Sequence, residues 1–430
     1  MSRPQTQIER ILSRHSTESP GAPVEPEDFV QVEVDRLVLL DMAATHPEFL
    51  AHLPHRVHRP ERVAWVFDHL VPPPTVELAS GLVKLRELAT QWGITNVVDI
   101  GRGGISHPVM AERGWVRPGE ILANTDSHTC AAGALGCAGR GVGMLEVMSI
   151  LCTGRTWYRV GETVRCSLTG RLPAGVAGKD VFLSLAGAHG AIPSRNIEFA
   201  GDGVAALPIP TRQAIATMCA EISAEFALFP PDDRALDYVR ARIPAGEPLE
   251  PARADPEAQY AEEWTVDLNR VEPLVALPNR VARNVRPVSE MTSVPITRAV
   301  VGSCANGTIE DLEAVAEVLN GRHVHREVVF TVTPNTSEVM AEAARRGLVD
   351  RLLTAGALVT NPTCGACFGG HMGVLGDGEV CVTSTTRNFQ GRMGSPHAKI
   401  YLASSATVAA SAVTGHLTDP RALLRGEDPP

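Results

Sequence analysis

The sequence predicts an α/β protein with mostly parallel sheets, and three observations carry that prediction. From residue 297 onward, short apolar β-branched runs alternate with amphipathic helical runs. Earlier, ILANTD reads as a strand that ends on Asp126 and turns at once into the small-residue run SHTCAAGALG. The chain has 430 residues, with 38 Gly and 32 Pro, enough for two to four lobes with ample core and many close turns.

Composition narrows the function. A net charge of −10 gives no support to nucleic-acid or bilayer binding. The N-terminus does not read as a secretory leader, and no long uncharged apolar run is present, since even GALGCAGRGVGM is broken by Arg140. Nine cysteines in such a chain argue for reduced thiols and a cytoplasmic setting. Cys130, Cys137, Cys152, Cys166, Cys219 and Cys381 read as buried or inert.

Taken in order, TQIERILSRH reads as a short amphipathic helix, followed by the polar linker SPGAPVEPED. FVQVEVDRLVLLD alternates and reads as one strand, and RVAWVFDHL as another with Asp68 and His69 at its end. TVELASGLVKLRELATQWG is a helix stopped by Gly93. NVVDIGRGG is strand then turn, and SHPVMAERG starts a helix close to His107. Asp126, Ser127 and His128 fall at the carboxyl end of ILANTD, the edge where parallel sheets bind ligands. GETVRCSLTGRL reads as a hairpin, while DVFLSLAG and TRQAIATMCAEISAEF read as helices. GEPLEPARADPEAQYAEE reads as a surface loop, and VEPLVALPNRVARNVRPVSEM as a weakly periodic connector.

The β–α pattern then takes over. TRAVVGSC, REVVFTV, ALVTN and EVCVTS are strands, and Thr308 with Asp311 signals a capping box for IEDLEAVAEVLNG. SEVMAEAARRG is the next helix. Cys304 follows the first strand, Cys364 and Cys367 the third, and Arg387 the fourth. If the sheet is parallel, all of these share one rim.

The chemistry stays open on spacing alone. Cys364 and Cys367 form a CxxC that fits a zinc half-site with His371 available, a dithiol pair, or no site at all. With Cys304 the three thiols also suit a four-iron cluster that leaves one iron open. His69, His107 and His128 each sit at a strand-to-turn junction beside an Asp or Ser, and Asp–His pairing orients an imidazole for proton transfer. Arg387 and Arg392 can hold carboxylates or form an ordinary ion pair.

Three long blocks go further. DSHTCAAGALGCAGRGVG, VGSCANGTIEDLEAVAEVLNGR and NPTCGACFGGHMGVLGDGEVCVTSTTRNFQGRMGSP closely resemble signature blocks of the aconitase superfamily, nearest the large subunits of 3-isopropylmalate dehydratase and homoaconitase. FDHLVPP and YLASSATVAASAVTGHLTDP extend the resemblance along nearly the whole chain. It implies a three-lobed α/β/α architecture, with residues 1–285 carrying the Asp/His set and 286–430 the cysteines and arginines. It further implies that Cys304, Cys364 and Cys367 ligate a [4Fe–4S] cluster. Asp68, His69, His107, Asp126 and His128, with Glu221, correspond to the active-site acid/base set, and Ser127, Arg387 and Arg392 to groups that bind substrate carboxylates. The implied reaction dehydrates and rehydrates a small hydroxy di- or tricarboxylate.

The family's catalytic base is a serine on a swivel domain that these blocks do not contain. The expectation is therefore a chain without that domain, inactive alone and dependent on a small swivel-domain subunit. Thr217 and Thr386 stand where the family usually has Asn, and a hydroxyl replaces only part of an amide's bonding. Asp41 and Met42 replace a polar substrate-binding pair, so Asp41 is expected to repel a substrate carboxylate unless its loop lies elsewhere. These departures leave a homoaconitase-like or secondary-metabolism dehydratase, a non-catalytic iron–sulfur sensor, and a structural zinc protein as rivals.

Overall fold

A computed structural model describes residues 3–46 and 50–427 of the chain. Two compact units emerge: Met1–Ile100, Ser106–Gly170 and Ile192–Val266 form the first, and Gly101–Ile105, Arg171–Ala191 and Asp267–Pro430 the second. Among the described residues, no helix is long and apolar enough to cross a membrane.

The first unit is built on strands β1 Phe29–Glu33, β2 Arg36–Leu40, β3 Val63–Val66, β4 Asn96–Val98, β5 Ile121–Asn124, β6 Ala138–Gly141, β7 Arg155–Arg159, β8 Thr163–Thr169, β9 Arg195–Ala200, β10 Ala224–Leu228 and β11 Glu262–Asp267. Five of them form the parallel sheet β4-β3-β2-β5-β6. Strands β2, β3 and β5 are buried at every position, as expected of parallel strands covered on both faces. The core there includes Val38, Val66, Val98, Met110, Leu122 and Leu135. A second sheet runs β10-β9-β8-β11, with β8, β9 and β10 parallel.

The second unit continues with β12 Leu274–Ala276, β13 Val285–Pro287, β14 Arg298–Val301, β15 Val329–Val332, β16 Leu358–Val359, β17 Val380–Thr383 and β18 Lys399–Ala403. They form one sheet, β13-β12-β18-β17-β14-β15-β16, whose last five members are mutually parallel. Its core joins Val301, Leu312, Phe330, Val332, Leu352 and Val408. In chain order, the parallel part of this sheet and the five-stranded sheet of the first unit share one pattern, 3-2-1-4-5. The switch points lie between β2 and β5 and between β14 and β17, where such sheets bind ligands at the strands' carboxyl ends. The α/β class with mostly parallel sheets is thus what the molecule adopts.

Local readings fared unevenly. FVQVEVDRLVLLD is two strands, because its period changes at Val34–Asp35: β1 alternates and pairs with β7 in a surface ribbon, whereas β2 is wholly buried in the parallel sheet. GETVRCSLTGRL is no hairpin; β8 ends at Thr169, Gly170 follows with φ +75°, and the chain runs on into helix Gly178–His189 before β9. The helix in TRQAIATMCAEISAEF stops at Met218, a 3-10 turn covers Cys219–Ile222, and left-handed Ser223 (φ +63°) turns the chain into β10. SHTCAAGALG forms a 3-10 turn, Thr129–Leu135, lying so close on β10 that a Cβ on Gly133 would meet the Ala227 carbonyl at 1.7 Å. The connector VEPLVALPNRVARNVRPVSEM supplies the antiparallel pair β12–β13. The capping box forms as read, with Thr308 Oγ1 accepting the Asp311 N–H at 3.2 Å and Asp311 Oδ2 accepting the Thr308 N–H at 3.1 Å.

Candidate active site

In the first unit the carboxyl ends of β2, β3 and β5, with the start of helix Ser106–Glu112, bring one polar cluster together. His69 Nδ1 lies 2.7 Å from Asp68 Oδ1, and the other Asp68 oxygen accepts the Ser106 N–H at 2.9 Å. His69 Nε2 stands 3.6 Å from Asp126 Oδ2. Asp126 Oδ1 bonds His107 Nε2 at 2.9 Å and accepts the His128 N–H at 2.8 Å. His128 Nε2 in turn pairs with Glu221 Oε1 at 2.7 Å. The sequence-predicted residues Asp68, His69, His107, Asp126, His128 and Glu221 therefore form one connected network of hydrogen bonds and ion-pair contacts. Ser127 is exposed between Asp126 and His128.

Electrostatics follow from this packing. Burial pulls the His69 imidazole down, but Asp68, with Asp126 and Asp41, outweighs it and pushes the pKa up to about 10. Burial pushes Asp126 up, yet the hydrogen bonds and charges of His107 and His128 hold it well below the usual carboxylate range. Asp41 is raised to about 7, first by burial and then by the neighbouring Asp68 charge, with His69 and two backbone N–H groups opposing.

Asp41 turns its carboxylate onto backbone. Its carboxylate is fully buried, with Oδ1 accepting the His69 N–H at 3.1 Å and Oδ2 the Leu70 N–H at 2.7 Å. It braces the Asp68–His69 turn. Ligand atoms of Asp41, Asp68 and His69 all lie within 4.8 Å of one another. Thr217 is also fully buried, and among the described residues its hydroxyl has no hydrogen-bond partner. A Thr there leaves unfilled the bonding an amide would offer.

In the second unit, the carboxyl rim of the seven-stranded sheet carries Cys304 after β14, Cys364 and Cys367 after β16, and Thr386, Arg387 and Arg392 after β17. Gly302, at φ +115°, lies so close to the β15 exit that a Cβ would meet the Thr333 carbonyl oxygen at 2.1 Å. On the other side, a Cβ on Gly365 would sit 3.6 Å from the Thr333 hydroxyl. Both cysteine turns thus lie beside Thr333. The Cys304 turn closes through reciprocal bonds between Ser303 and Asn306, and Asp311 Oδ1 accepts from the Asn306 side chain at 2.9 Å.

The thiols are not alike. Cys137, Cys166, Cys219 and Cys381 are buried with thiols pushed up by desolvation, Cys166 to about 12. Cys367 is buried too, but its thiol lies well below the usual range. The Cys364 side chain bonded to it is the first cause, and Arg392 and Thr386 add to it against the burial. Thr386 Oγ1 stands 3.7 Å and Arg392 Nη2 3.9 Å from the Cys367 sulfur. Arg392 therefore reaches a sulfur, a placement that its reading as a carboxylate binder did not contain. Arg387 is half-buried on the same loop.

This donor set fits an iron–sulfur cluster. Cys304, Cys364 and Cys367 stand on turns along one carboxyl rim, and the Cys367 thiol is held below its usual range by Cys364, Arg392 and Thr386. A closed zinc site fits less well: tetrahedral bonds of about 2.3 Å bring ligand atoms to roughly 4 Å of each other. Among the described residues, the group of that compactness is Asp41, Asp68 and His69, and the cysteines with His371 do not form one.

Sequence reasoning missed Lys179. Fully buried, its ammonium donates to the Ser384 and Thr385 carbonyls at 2.7 Å each, so it anchors the turn that leads to Thr386 and Arg387. Its signal, KD opening a helix, is indistinguishable from an ordinary helix start.

Comparison with known proteins agrees with this geometry. The family model "Aconitase family (aconitate hydratase)" matches residues 9–415. The 3-isopropylmalate dehydratase large subunit of Mycolicibacterium smegmatis is 48% identical over 419 residues, covering 97% of each chain. Large subunit 1 of the same name from Methanopyrus kandleri is 41% identical over 97% of this chain and 99% of its own. The probable methanogen homoaconitase large subunit of Methanothermobacter thermautotrophicus is 41% identical over 86% of each. This chain belongs to the aconitase family and is an enzyme of the hydro-lyase class.

Proposed function

We propose that this chain is the large catalytic subunit of a [4Fe–4S]-dependent hydro-lyase/isomerase that moves the hydroxyl of a 3-isopropylmalate-like hydroxy dicarboxylate. Cys304, Cys364 and Cys367 hold the cluster, which when bound supplies a Lewis-acidic iron that polarises the substrate hydroxyl. His69, kept charged across neutral pH by Asp68, delivers a proton to the leaving oxygen. Asp126, kept ionised by His107 and His128, holds both rings in one orientation, and Glu221 fixes the far side of His128. Arg387, Arg392 and the exposed Ser127 hydroxyl bind the substrate carboxylates. A separate small swivel-domain subunit supplies the base; the words "large subunit" in the relatives' names support that division of labour.

The observation that carries the cluster reading is the placement of Cys304, Cys364 and Cys367 on one carboxyl rim of the parallel sheet, with Thr386 Oγ1 3.7 Å and Arg392 Nη2 3.9 Å from the Cys367 sulfur. The substrate reading is supported by the 48% identity to a 3-isopropylmalate dehydratase large subunit over 97% of both chains. A second reading, a homoaconitase-like enzyme, is supported by the 41% identity to the methanogen protein.

The test is anaerobic co-purification with the small subunit, followed by assay of 2-isopropylmalate, homocitrate and citrate. The expected result is a brown protein that bleaches in air and favours 2-isopropylmalate by about a hundredfold in kcat/KM. Preference for homocitrate would select the second reading. A brown protein without turnover on any acid would favour a sensor, and a colourless one holding a single zinc would overturn the cluster.

A further inference from the structure

We propose that Asp41 is a positioning residue for the reaction: its carboxylate locks the turn after β3 so that the Asp68–His69 pair meets substrate in one orientation. The inference rests on the hydro-lyase reading above and deepens it. Asp41 is the first residue beyond β2, and Asp68 lies two residues beyond β3, the adjacent parallel strand. Regular pairing of the two strands ends at Leu40 and Val66. Phe67 N–H still reaches the Val98 carbonyl at 2.9 Å, but the next ladder partners are gone. The buried N–H groups of His69 and Leu70 are taken up by the two oxygens of Asp41 instead. A buried N–H left without an acceptor costs about 1–3 kcal/mol, so one side chain settles the conformation of the whole turn.

A simple cap would not need a carboxylate. An amide or hydroxyl oxygen also accepts from backbone N–H, without placing a second acid beside the fully buried Asp68. Two carboxylates and an imidazole within 4.8 Å, all buried, form an expensive arrangement unless the imidazole is charged. The groups facing Asp41 are Asp68 and His69 from the β3 exit, with Asp126 from the β5 exit reaching the same imidazole. Helix Val76–Gln91 packs on the 41–45 turn through apolar contact, where a Cβ on Gly81 would come within 2.9 Å of the Ala44 methyl. The carboxylate is thus aimed at the backbone of the turn that carries the proton-carrying pair. It orients the pair through the backbone and helps to keep His69 charged, without itself touching substrate.

The experiment compares wild type, Asp41→Asn and Asp41→Ser as cluster-loaded enzyme with the small subunit present, together with deuterium exchange of the lone chain. Asn keeps the shape but sets an amide donor against one backbone N–H, and Ser keeps at most one acceptor. We expect kcat on 2-isopropylmalate to fall about tenfold to a hundredfold in both, with KM within about twofold and an unchanged visible spectrum. The acidic-to-alkaline pH profile of kcat should narrow on its alkaline side. The peptide spanning the 67–70 turn should exchange at least about tenfold faster in both variants. Unchanged exchange in that peptide would overturn the proposal. Faster exchange with wild-type kcat would also overturn it, leaving a cap without catalytic consequence. If wild type turns over none of the three acids, the functional reading falls, and the exchange data alone then decide whether Asp41 fixes the turn.

Discussion

At the scale of single residues, burial has opposite consequences for chemically identical groups, and the neighbours decide which. Cys137 and Cys367 are both buried thiols, but Cys137 faces carboxylates and desolvation, whereas Cys367 has Cys364, Arg392 and Thr386. Replacing Cys367 by Ser is therefore expected to abolish the broad visible absorption and bound iron of the anaerobic protein, while Cys137→Ala keeps both. Equal iron content in the two variants would contradict the ligand assignment. His69 offers a second check. Its pKa rises from 6.5 to about 10 on folding, so the folded state binds that proton more tightly. The stabilisation is fully present below about pH 6.5 and is lost as pH rises through about 10. The melting temperature of wild type should fall more steeply than that of His69→Gln across this window, and parallel curves would count against a charged His69. The placement of Asp68, His69, Asp126 and His128 at one sheet edge was readable because each follows a strand. The role of Asp41 was not, since it depends on two N–H groups 28 and 29 residues away.

At the scale of elements, close approach matters more than propensity. The strand β14 delivers Cys304 to its place only because Gly302 lets the exit run against Thr333. Gly302→Ala should displace the Cys304 turn and lower iron loading severalfold while far-UV circular dichroism stays native; full loading would show that the turn tolerates a side chain. By contrast, the helix Ile309–Leu319 begins with a local device. Thr308→Ala removes one half of its capping box and should cost about 1 kcal/mol in denaturant unfolding, with iron content unchanged. The capping box was legible because its partners stand three residues apart. The break between β1 and β2 and the loss of the supposed hairpin at β8 were not, because alternate pairings of the same residues carry the same local pattern.

At the scale of the whole molecule, two five-stranded parallel arrangements with the same strand order each carry their polar residues at the carboxyl ends, around the point where the order reverses. A ligand bound by the native thiols alone stabilises the native state by mass action. Removing iron with an oxidant and chelator should therefore lower the melting temperature of wild type and leave that of Cys367→Ala unmoved; identical responses would mean that iron is held elsewhere. The sequence by itself determined the alternation of strands and helices, the order of the thiols along the chain, and the Asp–Ser–His run at a strand end. Those features live in periods of two or 3.6 residues and in spacings of a few residues. Three-dimensional packing alone set which thiol has its pKa lowered, which carboxylate braces backbone and which holds an imidazole, and where Lys179 places its charge. Each of those outcomes depends on desolvation and on partners distant along the chain, and a local pattern records neither.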